Sequence, residues 1–241
     1  MCGIGGFYRT SEDKLSSDEI MLLLLNLQQR GIDATGVAWS NGKKICALKS
    51  PIMAEEFIDG KDFQKVLTEI VSSKWALFHT RQATNGSAES NLNNHPIYNK
   101  VGLIIHNGIV KPVESELPSK GQTDTEQILL YLQKYGWKGI EKLSGSLAIA
   151  YADFKLLDRF YLYSHLMPIV YSHRNGTFVF ASTEFILRDS VDSIDKVTLL
   201  PRDKVFRMRN GELTKIQKVS PQPMVVSKYL ENVYQKYHYW F

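Results

Sequence analysis

The chain has 241 residues, of which 44% are hydrophobic, and its 29 basic and 25 acidic side chains leave a formal net charge of +4. This size and composition are ordinary for a globular protein with a real hydrophobic core. The basic residues are spread along the chain rather than gathered in a stripe, which argues against nucleic acid as a partner. The most apolar run, Ile20 to Leu27, is too short to span a bilayer, so no membrane role is expected.

The two cysteines, Cys2 and Cys46, allow at most one disulfide bridge, and no apolar targeting segment precedes the first motif. We therefore expect a reducing, cytoplasmic location. The small side chain at position 2 favours removal of Met1, which would leave Cys2 as the N-terminal residue. A thiol and an α-amine with a reference pKa of about 8 would then lie on one residue, as nucleophile and base. The alternative is that Cys2 is a small buried hydrophobe.

The segment from Gly3 to Tyr8 is predicted to be a short strand, whose glycines let a second backbone or a substrate come close. A dinucleotide-binding motif is excluded, because no strand precedes the glycines and the next predicted helix does not follow directly. Capping residues and apolar periodicity predict helices over 16–30, 62–71 and 123–135. Alternation and Asn-Gly turns predict strands over 37–40, 44–48, 75–78, 103–105, 147–154, 160–164, 169–172, 177–181, 204–208 and 213–216.

The end of the chain differs in character from the rest. Pro221 and Pro223 mark a break, after which apolar residues recur at helical spacing. We predict one domain over 1–220 and an amphipathic, aromatic C-terminal tail over 221–241. A helix that covers its own domain is preferred over a surface for docking a partner. The order of predicted strands and helices alone places the whole chain in the α+β class.

Polar and glycine residues concentrate in six segments, namely Met1 to Ile4, Arg30 to Gly36, His79-Thr80-Arg81, His95-Pro96, His106-Asn107-Gly108 and Thr123 to Glu126. In this order the segments resemble a class II glutamine amidotransferase, and they are most similar to the glutaminase domain of glucosamine-6-phosphate synthase. The resemblance covers nearly everything up to about residue 218. It implies the N-terminal-nucleophile hydrolase fold, a four-layer αββα sandwich of two antiparallel sheets, and hydrolysis of glutamine to glutamate and ammonia.

The resemblance also implies roles for individual residues. Cys2 would form a γ-glutamyl thioester, with its own α-amine moving the proton. Asn107, through its side-chain amide, and Gly108, through its backbone N–H, occupy the family's oxyanion-hole positions. Taken without the family, Asn107-Gly108 would be a turn. No cofactor is implied.

Three further residues are implied to bind the substrate. Arg81 occupies the position that binds the α-carboxylate, for which a planar and permanently charged fork is suited. Asp124 matches the ligand of the α-ammonium, and Thr84 belongs to the same binding set. Without the family, Arg81 would be a solvated charge, and Asp124 an acid that stabilises a helix N-terminus.

The loop residues Arg30 and Asp33 are implied to help hold the N-terminal residue. His79, His95 and His106 match no common zinc spacing, so we interpret them as structural hydrogen-bonding residues and expect no metal. Ser182-Thr183-Glu184 resembles a late structural strand-to-turn element of the family.

Two positions depart from the family's glutamine loop, because Gln82 and Asn85 stand where Trp and His are usual. In the family that Trp gates an ammonia channel, so the resemblance does not imply gating and channelling for this chain, whereas hydrolysis depends less on these positions. The chain also shows no phosphate-binding loop or second nucleophile for acceptor chemistry. The leading hypothesis is a glutaminase that passes ammonia to a separate synthase subunit. The alternatives are a freestanding amidase for another γ-glutamyl or amide substrate, and a non-catalytic protein that binds glutamine or a partner. The acceptor and the oligomeric state are not specified by the sequence.

Overall fold

The structure is a computed structural model that describes residues 1–10 and 14–223. Its strands are β1 (Gly3–Tyr8), β2 (Ala34–Ser40), β3 (Ile45–Ser50), β4 (Trp75–Arg81), β5 (Ile97–Tyr98), β6 (Gly102–Pro112), β7 (Leu143–Asp153), β8 (Arg159–His165), β9 (Val170–Arg174), β10 (Thr177–Ala181), β11 (Thr198–Leu199), β12 (Lys204–Arg209) and β13 (Glu212–Lys218). Its helices are α1 (Ser17–Gln28), α2 (Ala54–Asp59), α3 (Lys61–Ser72), α4 (Asp124–Tyr135), a 3₁₀ segment (Gly136–Lys142) and α5 (Glu184–Ser190).

The strands form two sheets whose named pairs are all antiparallel. One sheet has seven strands in the order β11-β9-β10-β1-β4-β2-β3, and the other has six in the order β13-β12-β8-β7-β6-β5. Residues from α1, α2, α3 and α5 share a hydrophobic cluster with the seven-stranded sheet, and α4 shares one with the six-stranded sheet. A third cluster joins the facing sides of the two sheets. The predicted four-layer αββα sandwich is confirmed.

Strand β1 lies in the middle of the seven-stranded sheet, between β10 and β4. A Cβ atom added at Gly3 would lie 2.7 Å from the main-chain oxygen of Leu27, and one added at Gly5 would lie 3.1 Å from the Leu27 side chain. These glycines therefore let α1 pack closely on β1. The prediction that a backbone comes close at these glycines is confirmed, whereas the prediction that they make room for substrate is wrong.

The chain's capping and turn residues act as predicted. Ser16 and Glu19 form a reciprocal capping box at the start of α1. The predicted hairpin turns at 41–42, 175–176 and 210–211 connect β2 to β3, β9 to β10 and β12 to β13. Short elements such as α2 and α5 were not predicted, and β4 and β6 run further than the sequence indicated.

Strand β10 leads into α5 through the predicted structural element. The Thr183 hydroxyl caps α5, and the Ser182 hydroxyl lies 3.0 Å from the main-chain nitrogen of Ile4. This part of the chain therefore anchors the start of β1. Of the predicted tail, residues 224–241 lie outside the described residues. In the part of the chain that the structure describes, we find no helix with the length and apolarity to cross a membrane.

Candidate active site

The candidate site lies at one end of the space between the two sheets. Side chains alternate along a strand, so Leu77, His79 and Arg81 of β4 point to the same side. Leu77 belongs to the cluster between the sheets. By the same alternation, Asn107 continues the inter-sheet side of β6, which Leu103 and Ile105 line. Two strands of different sheets therefore bring polar side chains to the end of the shared core.

A cleft of about 270 Å³ brings together most of the sequence-predicted residues. Its lining includes the predicted residues Cys2, Arg81, Thr84, Gly108 and Asp124, together with Gln82, Asn85, His95, His106, Thr123 and Thr125. Asn107 is fully buried and does not line this cleft. Neither its side-chain nitrogen nor its side-chain oxygen has a hydrogen-bond partner among the described residues. The amide of Asn107 is thus an uncommitted polar group beside the cleft.

Gly108 is a position that requires glycine. Its φ is 145°, and a Cβ atom added there would lie 2.0 Å from the main-chain oxygen of Ser146 on β7. The glycine therefore lets β6 keep its pairing with β7 while its backbone lines the cleft. The interpretation of Asn107-Gly108 as a turn is wrong, because both residues lie inside β6.

The thiol of Cys2 lies against the peptide that follows β4. Its Sγ is 3.4 Å from the Gln82 nitrogen and 3.5 Å from the Gln82 oxygen. Burial raises the pKa of this thiol, against the smaller lowering effects of the Gln82 backbone, the chain's terminal ammonium and Arg81. A thiol in this setting needs a base to become a nucleophile.

Arg30 and Asp33 act on two sides of Cys2. The Nε of Arg30 donates a hydrogen bond of 3.0 Å to the main-chain oxygen of Cys2. Asp33 does not contact Cys2 itself. Its carboxylate accepts hydrogen bonds from the Ala83 nitrogen at 2.6 Å and from the Gln82 amide at 3.2 Å. Arg30 thus holds the backbone of Cys2, and Asp33 holds the segment against which the Cys2 sulfur lies.

Arg81 is buried rather than a solvated charge. Its guanidinium donates to the main-chain oxygens of Asn85 and Gly86 and to the side-chain oxygen of Asn94, at 2.5, 2.9 and 2.9 Å. These three bonds hold the loop that leaves β4 around the guanidinium. A guanidinium has five N–H donors, so Nε–H and one Nη1–H stay uncommitted within the described chain. Arg81 therefore keeps two charged N–H groups, on different edges of the guanidinium, at the cleft that it lines.

Asp124 combines a structural contact with a place in the cleft. The preceding residue, Thr123, caps α4 through its hydroxyl. One carboxylate oxygen of Asp124 accepts a hydrogen bond of 2.9 Å from the Val110 nitrogen of β6. The other lies 4.0 Å from Nδ1 of His106. The acid therefore fastens α4 to β6 and also faces the cleft, so the helix-terminal interpretation and the ligand interpretation are compatible.

Three buried histidines lie at or next to the cleft, and two of them contact one hydroxyl. Thr125 Oγ1 lies 3.0 Å from His95 Nε2 and 3.0 Å from His106 Nδ1. The ring of His95 stacks on that of His79 at 3.9 Å. Burial lowers the pKa of all three imidazoles, that of His79 to about 3. No group of three or more His, Cys, Asp or Glu that could hold a metal ion occurs within residues 1–10 and 14–223.

Sequence reasoning missed two contributors to the site. It did not anticipate that the main chain of Gln82 would contact the thiol of Cys2, because a backbone contact leaves no side-chain signature. It also gave no role to Thr125, although this residue belongs to the segment Thr123 to Glu126 that carried the family resemblance.

The chain was compared with curated proteins and solved structures. No protein-family model matches it. It is 32% identical over 217 residues to glutamine–fructose-6-phosphate aminotransferase (isomerizing) of Helicobacter pylori, a match that covers 80% of this chain and 34% of that enzyme. The enzyme of the same name from Sulfolobus acidocaldarius is 33% identical over 154 residues, which cover 60% of this chain and 25% of the relative. The chain thus spans about a third or less of these relatives.

Solved structures share the fold at lower sequence identity. Glutamine phosphoribosylpyrophosphate amidotransferase of B. subtilis, solved with ADP and GMP, superimposes with a TM-score of 0.68 at 18% identity, over 90% of this chain and 49% of that one. A glutamine aminotransferase class-II domain protein of Silicibacter pomeroyi gives a TM-score of 0.58 at 16% identity, over 91% of this chain and 99% of that one. The sequence relatives and the fold agree with the resemblance inferred from the ordered motifs: the chain belongs to the class II glutamine amidotransferases.

Proposed function

We propose that this chain hydrolyses the side-chain amide of glutamine to glutamate and ammonia through a thioester on Cys2. The observation that carries the proposal is the composition of the cleft, in which a thiol, an arginine, an aspartate and the backbone of Gly108 meet. Amide hydrolysis needs a nucleophile, donors for the oxyanion and groups that recognise the amino-acid end. The cleft supplies a candidate for each need.

In the proposed reaction the Cys2 thiolate attacks the side-chain carbonyl carbon of glutamine. The resulting oxyanion is stabilised by the Gly108 N–H and the uncommitted amide of Asn107, each worth about a hundredfold in rate or more. The C–N bond then breaks, the leaving nitrogen takes a proton, and ammonia departs. Water adds to the thioester, and the C–S bond breaks to give glutamate and the free thiol.

The base of the proposed reaction is the α-amine of Cys2. While Met1 is attached, the nitrogen of Cys2 is part of a peptide bond and cannot accept the proton, so the mechanism requires removal of Met1. The Met1 side chain is 66% exposed, and its sulfur contacts only the Arg30 guanidinium, at 3.8 Å, among the described side chains. Its removal leaves the bond between Arg30 and the Cys2 oxygen in place.

We assign the amino-acid end of the substrate to Arg81, Thr84 and Asp124. An uncommitted N–H group of Arg81 would donate a charge-assisted hydrogen bond to the α-carboxylate. The Asp124 carboxylate would bind the α-ammonium. Thr84 is an exposed residue of the cleft that offers a hydroxyl to either group.

The fate of the ammonia is the second part of the proposal. The relatives are named as glutamine–fructose-6-phosphate aminotransferases. We propose that a synthase, as a separate partner, receives the ammonia. Gln82 lies at the thiol, where the family usually carries Trp, so this chain would gate the ammonia differently.

A second candidate is a larger γ-glutamyl or amide substrate handled by the same nucleophile. The observation that favours it is an open cavity of about 630 Å³ beside the cleft, which shares Asn85, Thr123 and Asp124 with it. Such a cavity would accept groups that glutamine does not have. Glutamine hydrolysis much slower than that of extended γ-glutamyl amides would favour this candidate.

The deciding experiment measures glutamate and ammonia release from glutamine by protein whose N-terminus has been sequenced. Cys2→Ala should abolish glutamate formation and should leave the fold intact. Cys46→Ala is the matched control, because Cys46 is the second cysteine and lies on β3 away from the cleft. Glutaminase activity that survives Cys2→Ala would reject the mechanism. A glutamine-like electrophile such as diazo-oxo-norleucine should add one adduct at Cys2. Absence of an adduct and of turnover would indicate a non-catalytic protein that binds glutamine or a partner.

A further inference from the structure

His79 makes a hydrogen bond that crosses from one sheet to the other. It lies on β4 of the seven-stranded sheet and is fully buried. Its Nε2 is 3.0 Å from the main-chain oxygen of His106, on β6 of the six-stranded sheet. A carbonyl oxygen only accepts, so Nε2 carries the hydrogen and donates it. The bond fixes the distance between the two strands at this point.

The donor of this hydrogen bond lies beside the strand that follows the proposed nucleophile, and its acceptor lies beside the proposed oxyanion donors. His79 is paired with Ile4 of β1, two residues after Cys2. The acceptor belongs to His106, directly before Asn107 and Gly108. The cross-sheet bond therefore connects the strand that follows the nucleophile with the strand that carries the proposed oxyanion donors.

The imidazole of His79 is itself held in orientation. Its ring stacks on that of His95 with an angle of 19° between the planes. His95 contacts the Thr125 hydroxyl, and the same hydroxyl contacts the ring of His106. Each of the four residues His79, His95, Thr125 and His106 therefore contacts two of the others. Rotation of one imidazole ring would disturb the contacts of the other residues, so these four residues together resist displacement of β6.

We infer that His79 is a positioning residue that holds the Asn107-Gly108 segment at the distance from Cys2 that the proposed reaction requires. The inference rests on the proposed function for the role of that segment. His79 does not line the cleft, so it acts through the peptide of His106 rather than on the substrate. A displacement of about 1 Å in such a site lowers the rate by about a hundredfold.

The test compares His79→Leu, which removes the donor, with His79→Gln, whose amide N–H can replace it. For His79→Leu we expect kcat for glutamine to fall about a hundredfold while KM changes less than threefold. His79→Gln should recover at least a tenth of the wild-type kcat. Thr80→Val is the matched control: it removes a buried bond of 2.7 Å to the main-chain oxygen of Leu27 on the other face of β4, and it should keep kcat.

A second measurement is independent of turnover. Amide hydrogen exchange over residues 104–110 should accelerate in His79→Leu and stay near wild type in His79→Gln and Thr80→Val. If His79→Leu does not fold, Thr125→Val should accelerate the same exchange, and Thr125→Ser should restore it. Wild-type kcat and exchange in His79→Leu would overturn the inference. A wild-type protein that releases no glutamate would reject the proposed function, while exchange would still decide whether His79 holds this segment.

Discussion

The Nε of Arg30 donates a hydrogen bond to the main-chain oxygen of Cys2 at 3.0 Å, so the turn after α1 holds the residue that we propose as the nucleophile. Arg30 does not line the cleft. Its contribution is therefore separable from substrate recognition, and its removal should affect the placement of the thiol alone.

We predict that Arg30→Met lowers kcat for glutamine by ten- to a hundredfold, on the order expected for a misplaced nucleophile, with KM changed less than threefold. Steady-state kinetics of glutamate release measure both constants. The matched control is Arg9→Met, which removes a guanidinium bond of 2.7 Å to the Ser72 main-chain oxygen away from the cleft. Equal kcat values for Arg30→Met and the wild type would show that the bond does not position Cys2.

For Asp124, the helix-terminal role and the ligand role predict different results. Asp124→Asn keeps an oxygen that can accept from the Val110 nitrogen but removes the negative charge. We expect stability to fall by less than about 1 kcal/mol, the usual size of a helix-dipole effect. The KM for glutamine should rise ten- to a hundredfold, because the α-ammonium loses about 1.5–3 kcal/mol of charge-assisted binding.

Urea denaturation and initial-rate kinetics on the same samples provide both numbers. The control is Asp62→Asn, which removes an exposed acid in the first turn of α3 that also pairs with Lys65 at 3.1 Å; it lies away from the cleft and should leave KM unchanged. A wild-type KM in Asp124→Asn would show that the carboxylate has a structural role and does not bind the α-ammonium.

Replacing Arg81 by lysine tests whether glutamine binding needs the guanidinium group or only a positive charge. Arg81→Lys keeps the charge but lacks the planar guanidinium, so it cannot make the three loop bonds to Asn85, Gly86 and Asn94 and still donate a charged N–H to the substrate. We expect KM for glutamine to rise at least about tenfold, since one charge-assisted bond is worth about 1.5–3 kcal/mol. Binding of glutamine by calorimetry to a Cys2→Ala background separates affinity from turnover. An affinity equal to that of the Cys2→Ala parent would contradict the assignment.

The sequence predicted the parts of the fold that local chemistry determines. Asn175 and Gly176 have φ values of 47° and 88°, which few other residues adopt, so their pairing identifies a hairpin turn. Ser16 and Glu19 likewise mark the start of α1 within a few residues. In each case the information lies in two or three adjacent residues.

The sequence was less informative where burial depends on distant partners. His79 and Arg81 were predicted to lie in a loop because they are polar, yet both are buried inside β4. His79 donates to the main-chain oxygen of His106 on the other sheet, and Arg81 donates to the loop that ends at Asn94. Alternation of polar and apolar residues cannot reveal such long-range pairing. The sequence indicated a close approach at Gly3 and Gly5 but could not identify the group that they admit, which is Leu27 of α1.

Buried neutral histidines make the stability of the domain depend on pH. His79 has a pKa of about 3 in the folded state because burial disfavours its charged form. An unfolded histidine has a pKa of about 6.5. Below pH 6.5 the unfolded chain therefore binds a proton that the folded protein does not, so stability is present above pH 6.5 and is lost as the pH falls toward 3.

We predict that the free energy of unfolding falls by about 1.4 kcal/mol between pH 7.5 and 5.5 through His79 alone, with further losses through His95 and His106. His79→Gln removes this titration, so its loss over the same interval should be smaller than that of the wild type by about 1.4 kcal/mol. Thr80→Val, which removes a neighbouring buried bond without a titrating group, should follow the wild-type pH dependence at lower stability. Urea denaturation at the two pH values measures all three proteins. An equal fall in the free energy of unfolding for His79→Gln and the wild type would mean that His79 takes up a proton in the folded state. The assignment of His79 as a neutral donor to the His106 oxygen would then be wrong.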